Sequence, residues 1–457
     1  MASSEPVRGS GSITFSNGQT YPVTKPDKWP TRDPILRLYS LPELDSAGYL
    51  NLPDAHIEDI RPYALAAGER DDGSSSSSSD DSLRAPSFES SSGSSDISTW
   101  EDTLHPVLRY DRWILSKEDF VSLRPALQLV SCILEEPSIT PFFIGLRQDP
   151  LPTLENEEAK ALFGGQQLYK FEPHINQDPE IYRADQIKIW KFLAKDMGKL
   201  VNWRFGRNSN SSYATTSVLT TVPGPIPGKT YGSMISLDNL YLRAIKGEAT
   251  DEEMPWREDL DTQSMRLRTQ FHLASAMLHE LAHAVGYATM RRTVKEYQTW
   301  NPRPAEPFFQ DQRITELGFA LTQFIFGGIP VPNGPPKELW CHYGLHMRDF
   351  PGPLNMKPRG DKVFQYKTPE DVGVKEDWHY AVTMAYVQKM FTAKFWDHDL
   401  RQGDPNSLLR YQRTDYRAWI IKSPPKDTAG ESDSRSWSRW MVGSLRDYCA
   451  RLFQVSR

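Results

Sequence analysis

The run His279-Glu280-Leu281-Ala282-His283 constrains the fold of this chain more than any other stretch, because its spacing has meaning only on a buried helix. Two histidines four apart on a helix share a face, about one turn apart, so both imidazoles can reach a single divalent ion. The glutamate after the first histidine then stands at the edge of the site. There it can take a proton from water and later return it to a leaving group. The flanking residues Leu273, Ala276, Met277, Ala284, Val285 and Ala288 are small or aliphatic, and the pattern predicts a helix over 262–290. A helix that apolar packs inside the molecule, where a structured metal site belongs.

A catalytic zinc takes three protein ligands and keeps its fourth position open. The HExxHxxGxxH arrangement would supply a third histidine, but its last position here is Thr289. A neutral hydroxyl is a poor substitute for imidazole, so the third ligand is sought downstream among Glu306, Asp311 and Glu316. Glu316 is favoured. It falls in a segment of helical periodicity over 308–326 and is followed by Gly318 and Ala320, which permit close helix approach. A carboxylate in so apolar a segment needs a partner, and a cation would supply one. Glu306 and Asp311 are the alternatives.

On the HExxH core and the glutamate that follows it, the chain resembles the zincin superfamily of metallopeptidases, in its glutamate-ligand or gluzincin type. Residues 230–330 are also similar to a group of uncharacterised fungal zincin-like proteins. The similarity lies in the same helix and in the Glu306-Pro307-Phe308-Phe309 and Glu316-Leu317-Gly318 blocks. The resemblance implies an α+β fold in which a mixed sheet precedes the active-site helix and an antiparallel edge strand lines the cleft; Met234–Asp238 has the right place in the order. It implies Zn²⁺ held by His279, His283 and Glu316, with Glu280 as catalytic base and acid, and a peptide or peptide-like substrate. Peptidases of this kind place a Tyr or His where the oxyanion develops. His379 and Tyr380, in a segment read as helical over 376–396, are the candidates. The expected function is therefore a zinc-dependent metallopeptidase. Its rivals are an inactive zincin-like binding protein and a tailoring hydrolase for one peptide-like metabolite.

Other signals are weaker. His272 precedes His279 by seven residues, about 10 Å along a helix, too far to share an ion; a local hydrogen bond is expected for it. His342 and His346 repeat the four-residue spacing, but Gly344 and nearby prolines do not support a helix there.

The chain has 457 residues, of which 38% are apolar and 25% charged, as in a soluble globular protein. A net charge of −6 supplies no basic footprint for nucleic acid. No apolar run approaches a bilayer span, so membrane insertion is not expected. Met1–Gln19 lacks the pattern of a secretory signal, and three scattered cysteines suit a reducing compartment. A cytoplasmic location is the expectation.

Along the chain, residues 1–67 read as a Pro-rich arm packed on the main body, and 68–98 as a disordered Ser/Asp-rich linker containing six serines, Ser74–Ser79. The catalytic core is expected over 99–328 and a loop-rich, helical part over 329–457. Within the core, Ser116 starts a helix, another runs over 183–199, a strand follows over 200–205, and 206–230 reads as loop. A short helix is expected over 440–453.

Overall fold

The computed structural model describes residues 11–14, 20–23, 41–52, 54–61, 98–148, 151–152, 169–206, 213–249, 262–290, 306–310, 312, 315–333, 344–348, 375–414 and 417–422. Nearly all of the Ser/Asp-rich tract, Asp311, His342 and the helix expected over 440–453 lie outside the described residues. The architecture is mixed, with helices packed against sheets, in agreement with the α+β expectation.

Helix α1 (Lys117–Ser122) begins where the Ser-x-x-Asp spacing places it, with the Ser116 hydroxyl accepting from the Asp119 amide at 3.1 Å. Helix α2 (Arg124–Glu135) follows, buried at every position from Ala126 onward. Helix α3 (Pro179–Lys191) is capped by Asp178 and runs on through a π-helical turn, Phe192–Met197, covering the segment expected to be helical. The long helix α5 (Thr262–Thr289) matches its expected span almost to the residue and packs against α2 in the core. Helix α4 (Asn239–Lys246) precedes it.

The sheet beneath α5 has the order β1-β2-β4-β3, from β1 (Trp113–Ile114), β2 (Val201–Gly206), β3 (Ala214–Pro223) and β4 (Tyr231–Asp238). β1, β2 and β4 are parallel neighbours, and β3 runs antiparallel along β4. The antiparallel edge is thus β3 and not the Met234–Asp238 segment. That segment lies in β4, which is paired on both sides and buried at six of its eight positions. Strand β3 occupies the stretch expected to be loop. Its threonines and serine disguise it, because a half-exposed edge strand needs no strong apolar alternation.

The region after residue 328 also departs from expectation. Four antiparallel strands follow one another in space as β5 (Ile329–Pro332), β6 (Leu345–Arg348), β7 (Lys375–Val382) and β8 (Arg417–Lys422). The single helix expected over 376–396 is strand β7 followed by the short helix α7 (Met384–Lys389). Between them Thr383 is the cap, its hydroxyl accepting from the Tyr386 amide at 3.3 Å. Pairing with β6 and β8 on both sides overrides the helical periodicity of the segment. Leu345, Met347, Tyr380 and Val382 share one hydrophobic cluster with α2 and α5, so the core continues into this region.

Residues 41–52 and 54–61 meet the body of the molecule. The Leu52 amide donates to the Ser264 hydroxyl at 3.1 Å, and the buried Arg268 guanidinium donates to the Leu50 carbonyl. Among the described residues no single helix is long and apolar enough to cross a membrane.

Candidate metal centre

Helix α5 carries His279 and His283 on one face, and their Nε2 atoms lie 3.3 Å apart. Glu316 Oε1 stands 2.9 Å from His283 Nε2 and 3.4 Å from His279 Nε2. All three residues are buried. A tetrahedral zinc with bonds of about 2.1 Å separates its ligand atoms by about 3.4 Å. Two imidazole nitrogens and a carboxylate oxygen at these separations form a group that could hold a metal ion.

Glu316 reaches this position by a route other than the expected one. It does not sit inside a helix; it is the N-cap of helix α6 (Leu317–Phe326), with extended backbone. Its Oε2 accepts from the Phe319 amide at 2.5 Å, which leaves Oε1 to face the histidines. The helix expected from residue 308 therefore begins only at 317. Phe308–Phe309 instead form a short strand parallel to Tyr169–Phe171. Gly318 makes the approach of α6 possible: a Cβ there would lie 2.4 Å from the His279 ring. Gly327, in the left-handed region at φ 73°, ends α6 and leads into β5.

Glu306 is not brought to the ligand point. Its Oε1 lies 2.5 Å from His283 Nδ1, the ring nitrogen turned away from His279 and Glu316, and its Oε2 accepts from the Leu317 amide at 3.0 Å. A carboxylate on the outer nitrogen of a ligating histidine fixes its tautomer and orientation. Burial by itself would lower the pKa of His283, but the carboxylates of Glu306 and Glu316 outweigh it and hold the metal-free ring well above its usual range.

Glu280 is also buried, and its Oε2 accepts from Thr216 Oγ1 at 2.6 Å. The same hydroxyl bonds to the Glu280 carbonyl at 3.0 Å, so β3 grips both ends of this residue. The other carboxylate oxygen lies 3.9 Å from His279 Nε2 and faces the ligand group. A cleft opens here. Tyr213 and Ala214 border it at the start of β3, Ile329–Val331 of β5 at another margin, and Ala276, His279 and Glu280 beneath.

Thr216 was not singled out in the sequence, and the place of Glu306 on the outer nitrogen of His283 was not read there. A hydroxyl in a Ser/Thr-rich stretch has no distinguishing pattern, and Glu306 registers only as a rival ligand. His272 lines the cleft and bonds with the buried Tyr241 hydroxyl of α4 at 2.8 Å, a partner from another element and not a local one. His379 and Tyr380 do not line the cleft. They lie on β7, where the His379 ring meets that of His346 at 4.8 Å and Arg413 stands over the Tyr380 ring. No protein family model, curated protein or solved structure matches the chain.

Proposed function

We propose that this protein is a zinc-dependent hydrolase of the gluzincin kind, cleaving peptide or related amide bonds. The observation that carries the reading is the convergence of His279, His283 and Glu316 within hydrogen-bonding distances of one another, with Glu280 beside them on an open cleft. The mixed sheet, its antiparallel edge strand β3 and the helix α5 laid along it support a zincin-like arrangement. His279, His283 and Glu316 would hold the ion, and Glu306 would orient His283.

Zinc bound there would supply a Lewis acid that polarises a carbonyl and acidifies water. The remaining work falls to the chain itself. Thr216 anchors one oxygen of Glu280, so that the other is presented to the cleft in a fixed direction. That oxygen takes a proton from the attacking water and later delivers it to the departing nitrogen. The buried setting strengthens each of these contacts.

Elemental analysis of wild type beside Glu280→Gln, with a peptide and amide substrate screen, tests the reading. About one zinc per chain is expected in both, with turnover only in wild type. Zinc without Glu280-dependent turnover would leave a metal-binding protein that is not a hydrolase. Wild type that takes up no zinc on reconstitution would remove the reading altogether.

A further inference from the structure

Resting on the hydrolase reading, we infer that the cleft continues past the metal group into a pocket floored by His272 and Ser275. This pocket selects a substrate side chain that ends in a primary carboxamide, a glutamine beside the scissile bond.

Helix spacing builds the floor. Ser275, Ala276 and His279 follow His272 by three, four and seven residues, so all four share one face of α5. Ser275 stands one turn before His279, about 6 Å along the axis, and His272 about 10 Å before it. Strand β3 forms one wall: the Tyr213 ring meets the His272 ring edge-on at 5.0 Å, and Thr216 bonds to Glu280 at the metal end. Helix α6 forms another. It runs back along α5, since Leu317 lies close to Gly286 while Phe326 packs on Phe271 at 5.4 Å. Phe319 therefore covers His279 at 4.7 Å, and Thr322 lies one turn nearer the floor. The space between these walls, counted out to solvent, is about 490 Å³.

Two polar groups on the floor are open to a ligand. His272 and Ser275 are only 5% and 4% exposed, and both line the cleft. Among the described residues the Ser275 hydroxyl has no hydrogen-bond partner, and His272 is bonded through Nδ1 alone, to the Tyr241 hydroxyl at 2.8 Å. Thr322 differs, because its hydroxyl already donates to the Gly318 and Phe319 carbonyls at 3.1 Å. A phenol is a stronger donor than a neutral imidazole, so Tyr241 donates to Nδ1 and the ring proton lies on Nε2. The floor then offers an N–H from His272 and a hydroxyl from Ser275, three residues apart and on neighbouring turns.

A primary carboxamide matches that pair. Its oxygen accepts from His272 Nε2, and its nitrogen donates to Ser275 Oγ. Glutamine, one methylene longer than asparagine, is the carboxamide that reaches a full turn down the helix from the metal. An aliphatic side chain would fill the space and leave both buried groups unpaired, which is costly. A charged one fares no better. Burial holds His272 at about 3 and hence neutral, so the floor supplies no cation to a carboxylate. It supplies no anion to an ammonium either, and an unpaired buried charge is costly.

The test measures Kd for capped tripeptides Ala-Xaa-Ala, with Xaa as Gln, Glu, Met or Lys, on full-length, zinc-loaded Glu280→Gln protein. Glutamine should bind at least about tenfold more tightly than methionine, which has its length without its amide, and than either charged residue. Ser275→Ala, and His272→Asn, which keeps a polar atom for Tyr241 and removes Nε2, should each cut the Gln-over-Met ratio by about fivefold or more. Equal affinities for Gln and Met, tightest binding of Glu or Lys, or no binding by any tripeptide would overturn the inference. So would a glutamine preference that survives both substitutions. Zinc content and Glu280-dependent turnover of wild type report on the hydrolase reading separately. A glutamine preference without turnover removes that reading and keeps the pocket, and turnover without the preference does the reverse.

Discussion

Two pairs of buried histidines lie in this molecule with nearly the same spacing. The His279 and His283 rings are 5.0 Å apart between centroids, and the His346 and His379 rings 4.8 Å. The first pair has carboxylates on both sides, Glu316 at the inner nitrogens and Glu306 at the outer nitrogen of His283. In the second, His346 Nδ1 instead meets the neutral Asn333 amide oxygen at 2.7 Å. Ring proximity alone does not make a cation site. Charge does, and among the described residues only the first pair gathers a carboxylate with the two imidazoles.

The sharpest way to break this contrast is to remove the charge at constant shape. Glu316→Gln should take zinc from about one per chain to less than about one-tenth, while His346→Ala leaves the content unchanged. Elemental analysis of both variants checks the pair of outcomes, and zinc loss in His346→Ala would erase the distinction. Glu306→Gln should retain zinc but bind it about 10- to 100-fold more weakly, since it orients a ligand without being one. Competition with a chelator measures this, and unchanged affinity would deny Glu306 its positioning role.

Histidines buried without a carboxylate should show the opposite proton linkage to His283. Burial pushes His105 and His272 from the ordinary 6.5 down to about 3, so both are neutral in the fold. Between those values the unfolded chain binds more protons than the folded one. Stability is then full above about 6.5 and is lost as pH falls towards 3, by about 1.4 kcal/mol per pH unit for each histidine. Denaturant titrations of wild type and His272→Gln across this range should differ in slope by that amount. Equal slopes would show that His272 titrates alike in both states. Smaller still, Gly318→Ala should destabilise the fold by about 1–3 kcal/mol, because its methyl would meet the His279 ring. Thermal unfolding reads that cost, and a neutral substitution would mean that α6 can back away from α5 freely.

The parts of this molecule differ in how far their local sequence announces them. Helix α5 was legible to within a residue, because its period, its apolar flanks and its ligand spacing all agree. Glu316 was legible as the carboxylate that joins the two histidines, though as part of a helix interior and not as a cap. Periodicity across Phe308 and Phe309 hid the break, and the strand that those residues form depends on Tyr169–Phe171, far away in sequence. β3 and β7 were missed for a related reason. Each is a strand by virtue of its neighbours: β3 through β4, β7 through β6 and β8. No window along the chain contains those partners.

The sequence by itself determined which residues could ligate and on which helix two of them stand, because four-residue spacing on a helix is a local property. Only the tertiary structure decided what surrounds them. It placed Glu306 on the outer nitrogen of His283, made Thr216 the anchor of Glu280, and left His379 and Tyr380 on β7 away from the cleft. The first two are contacts between residues 23 and 64 positions apart, set by strand pairing and by the close approach that Gly318 permits. Local periodicity records a residue's own helix or strand. It has no means of recording which distant carboxylate, hydroxyl or strand edge the folded chain will bring beside it.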